Sequence, residues 1–303
     1  MSRDVLFDED ISEWNVSSVL TMEYMFLHVS SFNQPLNNWD VSSVSNFHSM
    51  FRGASSFNQP LNDWDVSYAT NIGGMFAQAA SFDQQLNAWD VGMVDYMPGT
   101  FDGASSFNQP LNGWNVGSAR DMSSMFLHAT SFNQPLNDWD VSSAFSLSGM
   151  FQRAASFDQP LNTWEVGMVK YMAGMFVGAS SFNQPLNGWN VGNVSYFGGM
   201  FIEASSFNQP LNDWDVSSVL FFENMFSHAS SFDQPLNDWN VSAAADMHNM
   251  FKGASSFNQD LCVWTSTSTT FPYGKASNMF GGTRCTNTAD PTSAAKGPLC
   301  ADC

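Results

Sequence analysis

The sequence predicts a repeat solenoid of the α/β class, a right-handed coil with one parallel β-sheet face and short helices opposite. Three observations predict it. All 11 tryptophans, from Trp14 to Trp264, stand 25 residues apart, with nothing inserted or lost between them. A period of that length means one structural coil stacked on the next. The same string recurs around each tryptophan, most clearly as Phe57-Asn58-Gln59-Pro60-Leu61-Asn62-Asp63-Trp64-Asp65-Val66-Ser67. Finally, two parts of the unit have different apolar periods, the mark of two kinds of local structure.

Around the tryptophan, Trp64 and Val66 alternate with Asp63 and Asp65, which predicts a short strand with the carboxylates pointing outward. Earlier in the chain, Phe47, Met50, Phe51 and Ala54 fall at i, i+3, i+4 and i+7, which predicts one apolar face of a two-turn helix. Gln59-Pro60 then reads as a bend, because proline lacks a donor and restricts the residue before it. One column holds alanine from Ala54 to Ala254, headed by Val29, and predicts a place too tight for larger side chains. Parallel pairing would bring equivalent residues to about 4.8 Å, so Trp, Val, Met, Phe, Ala and Leu would form inward ladders.

The solenoid is expected over residues 1–261. After Trp264, the Asp-Val pair becomes Thr265-Ser266, and the Met-Phe pair returns late, as Met279-Phe280. Residues 262–303 therefore read as a degenerate last repeat and a cysteine-containing C-terminal cap.

Of 303 residues, 28 are acidic and 9 are Lys or Arg, for a formal net charge of -19. Nucleic acid is a poor partner for such a surface, since binding it requires Lys and Arg to displace counterions. No apolar run is long enough to insert into a membrane. Met1–Phe7 has no apolar stretch of the secretory kind, and the repeat begins almost at once, as expected of a piece of a longer chain.

The spacing Leu61-x2-Trp64-x-Val66-x2-Ala69, followed by the Met-x2-Met-Phe-x2-Ala-x2-Phe pattern, has its clearest copy in Leu36, Trp39, Val41, Val44, Phe47, Met50, Phe51, Ala54 and Phe57. Over about residues 7–260 it resembles the BspA-type leucine-rich-repeat surface proteins, in the branch built of roughly 25-residue units. The resemblance implies a leucine-rich-repeat-like coil, and cell-surface adhesion or ligand binding.

Two strips are candidate interaction surfaces. Asp40, Asp63, Asp65, Asp90, Asp138, Asp140, Glu165, Asp213, Asp215 and Asp238 occupy the outward strand positions. Carboxylates so close should repel, raising some of their pKa values or recruiting a cation. Ca²⁺ is the candidate ion, although a flat ladder does not converge six to eight oxygens on one point. The other strip is apolar: Tyr171, Tyr196 and Phe221 share a variable column on successive repeats, with Leu220 beside them and Tyr96 further off. Aromatics in a row are a docking patch for a protein or a glycan.

His28, His128 and His228 share one column and His48 and His248 another, too far apart to ligate one ion. They read as surface decoration. Thr100 is the one mild polar break in an inward ladder. No Ser-His-Asp set or phosphate loop is unique to any repeat, so no enzyme is expected. Cys262, Cys285, Cys300 and Cys303 allow three disulfide pairings, and a four-cysteine zinc site is the alternative. A disulfide cap is favoured, and with it an oxidising compartment.

These readings converge on a non-catalytic protein-interaction or adhesion module, cell-surface or extracellular. A Ca²⁺-dependent structural or matrix protein and a cytoplasmic scaffold are the alternatives.

Overall fold

A computed structural model of the chain describes residues 6–267 and 271–303. The head of the N-terminal segment, Met1–Val5, and residues 268–270 of the expected cap lie outside the described residues. The chain forms two compact units, one of Met1–Ala144 with Met150–Gln159, the other of Phe145–Gly149 with Pro160–Cys303. This division falls within the repeat tract, and the expected cap belongs to the second unit.

Both units are built of the same coil. Its inward residues are the predicted ladders: Leu61, Trp64, Val66, Ala69, Ile72, Met75, Phe76, Ala79 and Phe82 are all buried. The path between them is a chain of tight turns. Trp64 N–H donates to Leu61 O, Ala69 to Val66, Met75 to Ile72, Ala79 to Phe76 and Phe82 to Ala79. Trp64, Ala69, Met75, Ala79 and Phe82 thus each close a turn begun by another inward residue three positions earlier.

The predicted short helices do not form. In their place stand two consecutive β-turns, Phe47–Met50 and Phe51–Ala54, closed by i+3 hydrogen bonds of 3.1 and 3.0 Å. The third residue of each is left-handed, with φ of 54° at Ser49 and 74° at Gly53, as a type II turn requires. An α-helix would keep its amides within the segment. Here every second amide leaves it: Phe47, Ser49, Phe51 and Gly53 donate to Asn71, Gly73, Met75 and Ala77 of the next coil at 2.7–2.9 Å. The pattern of Phe47, Met50, Phe51 and Ala54 fits both geometries, because two four-residue turns also return side chains to one face. The left-handed positions decide between them. Many of them hold Gly or Asn, as Gly74, Gly99, Gly103, Gly149, Gly174, Gly178, Gly199, Gly253, Asn224 and Asn249 do, and the others hold Tyr, His, Ser, Gln, Arg or Glu. Gly and Asn tolerate positive φ, and glycine costs a helix interior about 1 kcal/mol.

The predicted continuous parallel sheet is also absent among the described residues. The Trp-Asp-Val run keeps its in-out alternation but carries none of the parallel bridges. These are single-residue contacts in a different column: Thr21, Asn46, Asn71, Tyr96 and Asp121 in the first unit, and Ser146, Tyr171, Tyr196, Phe221 and Asp246 in the second. A variable column of the sequence is therefore the one whose backbones pair.

Aromatic stacking and the indole N–H tie coil to coil. Trp64 and Trp89 stack at 6.5 Å between centroids, Trp89 and Trp114 at 6.2 Å, and Trp189 and Trp214 at 6.4 Å. Two phenylalanines pack within each coil, as Phe76 and Phe82 do at 4.1 Å, and each stacks on its counterpart in the next. Trp64 Nε1 donates to Leu36 O at 2.9 Å, Trp114 to Leu86 O at 2.8 Å and Trp239 to Leu211 O at 2.8 Å. Trp14 is 54% exposed, whereas Trp39, whose indole N–H reaches Ile11 O, is 4% exposed. At the Gln-Pro bend, Asn33 Oδ1 accepts the Asn58 amide and the Gln59 side chain of the next coil. Asp83 does the same for Asn108 and Gln109, which explains why Asn and Asp alternate in that column. Thr100 is satisfied in the core by Met97 O and Ile72 O.

After Trp264 the four extra residues are absorbed. A one-turn helix, α1 (Val263–Thr267), and a 3₁₀ turn at Tyr273–Lys275 lengthen the coil. The ladder then resumes: Phe251 donates to Met279 O, and Phe280 stacks on Phe251 at 5.8 Å. Of the three disulfide pairings, the structure holds Cys262–Cys303 and Cys285–Cys300. All four cysteines are used, in place of a zinc site. The tail they staple buries Leu299 against the last coil, where Leu261 N–H meets Leu299 O.

Two substitutions test this packing. Trp114→Ala should cost about 3–5 kcal/mol as a large-to-small core change. Trp114→Phe keeps a ring in the stack, loses the bond to Leu86 O and should cost less. A negligible loss for Trp114→Phe in denaturant unfolding would mean that the indole N–H does not join the coils.

Candidate functional site

The variable column is set at the pairing position by the turns on either side of it. Tyr171, Tyr196, Phe221 and Asp246 pair in parallel from coil to coil, so their side chains stand on one face at about 4.8 Å intervals. Together with Ser195, Leu220, Glu223 and His248 they line a cavity of about 440 Å³ in the second unit. That volume lies within the range of small-ligand sites. Tyr171, Leu220 and Phe221 remain 42%, 41% and 39% exposed, open to whatever docks. Tyr196 and Phe221 meet edge to face at 5.5 Å, and Phe145 and Tyr171 at 5.1 Å.

The polar side of the cavity is acidic. Tyr196 Oη donates to Glu223 Oε1 at 2.6 Å. That bond to a carboxylate, with partial burial, pushes the Tyr196 hydroxyl up to about 12, so it keeps its proton at neutral pH. Glu223 Oε2 is closed off from solvent and has no hydrogen-bond partner. Asp246 Oδ1 accepts the His248 amide at 3.0 Å and faces His248 Nδ1 at 2.7 Å. Burial would raise the Asp246 carboxyl, but these two bonds, with the His248 and Lys275 charges, outweigh it and hold it below its ordinary value. Gly198 leaves room for the arrangement, since a Cβ there would come within 2.4 Å of Glu223 Oε1 and 2.7 Å of the Tyr196 ring.

Of the aromatic residues named from sequence, Tyr171, Tyr196, Leu220 and Phe221 come together here. Tyr96 does not: it belongs to the first unit, paired with Asn71 and Asp121, and lines no part of this cavity. Sequence reasoning missed Glu223, Asp246, Ser195 and His248. His248, expected to be decoration, is part of the wall. The available signal was Glu223 itself, one of two acids, with Glu23, in a column that otherwise holds Gly, Ser, Ala, Pro and His, and the one that lies next to the aromatic run. It follows the column of Tyr196 and Phe221 by two residues, and only the coil offset brings it to Tyr196.

Much of the acidic strip is engaged in local structure. Asp40, Asp63, Asp65, Asp90, Asp138, Asp140, Glu165, Asp213, Asp215 and Asp238 are all exposed. The expected rise in pKa does not occur at Asp40, Asp65, Asp140 or Asp215. The hydroxyl of the serine two residues on, and then its amide, bind each carboxylate and lower its pKa. At Asp65 the repulsion from Asp40 is present but is the smallest influence. These are local turns of the Asx kind. Asn115, Asn190 and Asn240 make the same turn without a charge. Asp213 and Asp238 accept the side-chain amides of Asn187 and Asn212 from the preceding coil. Among the described residues, no three His, Cys, Asp or Glu side chains are placed to hold a metal ion.

The fold defines a repeat protein of tandem coils. Four overlapping stretches of the chain, residues 1–86, 63–160, 137–222 and 187–291, match the family described as Mycoplasma protein of unknown function, DUF285. The chain belongs to that family. No curated protein matches it. Among the described residues, no helix is long and apolar enough to cross a membrane.

The Asx turns have a pH signature. A carboxylate lowered from its ordinary value of 3.8, as at Asp215, adds stability that is present above that value and lost as pH falls through the lowered one. Asp215→Asn should retain the turn and blunt this part of the acid transition. Asp215→Ala should lower the melting temperature at pH 7. Equal melting of all three proteins at pH 7 would show that the turn contributes nothing.

Proposed function

We propose that the chain is a non-catalytic interaction module of a secreted or cell-surface repeat protein, and that it docks its ligand in the aromatic cavity of the second unit. One observation carries the reading. Tyr171, Leu220 and Phe221 are large apolar side chains left about 40% exposed side by side around one cavity, whereas the exposed Phe145 and Met168 of the same unit line no part of it. A repeat protein gains nothing in stability from such exposure, whereas a docking patch requires it. The adhesive function and leucine-rich-repeat kinship of BspA-type proteins belong to the same proposal, supported by the family match and the 25-residue unit. Secretion is supported by the two disulfides of the cap, since such bonds persist in oxidising compartments. The Ca²⁺-dependent matrix alternative finds no support in the acidic strip, many of whose carboxylates serve their own turns.

The test is a screen of peptide and glycan arrays with the wild-type chain and a Tyr171→Ala/Phe221→Ala double variant. Ligands should be retained by the first and lost by the second, with both proteins melting alike. Retention indifferent to the two substitutions would move the function elsewhere. Protein purified from its source without reductant should show no free thiol by mass spectrometry; four free thiols would remove the secreted location.

A further inference from the structure

The polar groups of the aromatic cavity are almost all acceptors. Tyr196 has committed its proton to Glu223, so its oxygen offers only lone pairs outward. Glu223 and Asp246 are carboxylates, and Glu223 Oε2 has no partner. His248 Nδ1 is engaged with Asp246 at 2.7 Å. An apolar pocket whose polar rim is rich in carboxylate and phenol acceptors favours a ligand rich in donors. The neutral sugar hydroxyl, donor and acceptor alike, would bring lone pairs with few partners. An ammonium or a guanidinium brings none.

Charge and ring geometry point the same way. The chain carries 28 acids against 9 Lys and Arg. Beside the cavity, the chain already places a cation on an aromatic, Lys170 Nζ standing 5.6 Å from the centre of the Phe145 ring. Phe145 in turn meets Tyr171 edge to face. A planar guanidinium can lie against an aromatic face and still direct separate N–H groups at two oxygens, which a lysine ammonium does less well. Glu223 Oε1, which accepts the Tyr196 hydroxyl, keeps a further lone pair for such a donor.

We infer that the cavity lined by Tyr171, Tyr196, Phe221 and Glu223 receives an arginine side chain from a basic segment of a partner protein, its guanidinium held on the aromatic rings and donating to Glu223 and Tyr196 Oη. This rests on the docking function proposed above and specifies its ligand.

The experiment titrates the full, oxidised chain with a short uncharged-end peptide containing one arginine, and with the same peptide carrying citrulline, a neutral isostere. Calorimetry or NMR shifts at physiological salt would serve. The arginine peptide should bind at least about tenfold more tightly, as a desolvated cation–π contact with a charged hydrogen bond provides. Glu223→Gln and, separately, Tyr171→Leu should each remove most of that preference. Asp215→Asn, on the exposed acidic strip, should leave it within about twofold. Equal binding of the two peptides overturns the inference, as does equal weakening by Asp215→Asn, which would mean diffuse charge attraction. If neutral peptides or oligosaccharides bind instead and depend on Tyr171 and Phe221, arginine recognition falls and the docking function stands. If nothing depends on those residues, both fall. A melt of each variant separates loss of binding from loss of fold.

Discussion

The bond from each indole N–H to a leucine carbonyl one coil back is the constraint on which the structure depends. That carbonyl serves two donors. Leu61 O accepts the Trp64 amide of its own turn and, at 2.8 Å, the Trp89 indole of the next coil. The bond is buried, so leaving either group unpaired would cost about 1–3 kcal/mol. Repeated through each unit, it sets the distance between coils and the registry of the indole and phenyl stacks. It also explains why the tryptophan clock tolerates no insertion. An extra residue would move one indole away from its carbonyl and turn its neighbours out of the core. The four-residue lengthening comes only after the last tryptophan, where α1 and the 3₁₀ turn absorb it.

Among the described residues, the absence of helices from the regular coils and of a continuous sheet follows from how the backbone amides are satisfied. A coil of 25 residues with so many inward side chains has little room for a helix of ordinary diameter, or for long straight strands. Alternate amides instead close local turns and reach the neighbouring coil. The turns require left-handed residues at regular positions, and glycine or asparagine fills many of them. Buried polar groups are paired in this way without much formal secondary structure. Asn33, Asp83 and their equivalents extend the same economy to the bends, where a side-chain oxygen replaces a missing backbone acceptor.

Because repeated columns are committed to holding the coils together, specificity is left to columns that vary. The acidic strip illustrates the first kind. The carboxylates that follow the tryptophan, at Asp40, Asp65, Asp90, Asp140 and Asp215, each cap a turn, and asparagine takes their place at Asn115, Asn190 and Asn240. The aromatic cavity illustrates the second. Tyr171, Tyr196 and Phe221 replace the polar residues found in that column at Asn46, Asn71, Asp121 and Ser146, and they do so on adjacent coils, so that they form one surface.

The sequence by itself determined the coil length, the inward ladders and the four apolar members of the site, Tyr171, Tyr196, Leu220 and Phe221. An uninterrupted period with fixed chemistry at each inward position leaves few other ways to bury ten of the 11 tryptophans. It also marked the last repeat and its cysteines as different. Tertiary structure decided the rest. It chose turns over helices, because Phe47, Met50, Phe51 and Ala54 meet on one face in either case and only inter-coil pairing of the amides separates the two. It chose Cys262–Cys303 and Cys285–Cys300 among three pairings, because spacing says nothing about where the tail folds back. And it brought Glu223, Asp246 and His248 to the aromatic wall while leaving Tyr96 out, because proximity across coils depends on backbone offset and on which unit a residue joins, neither of which a linear period records.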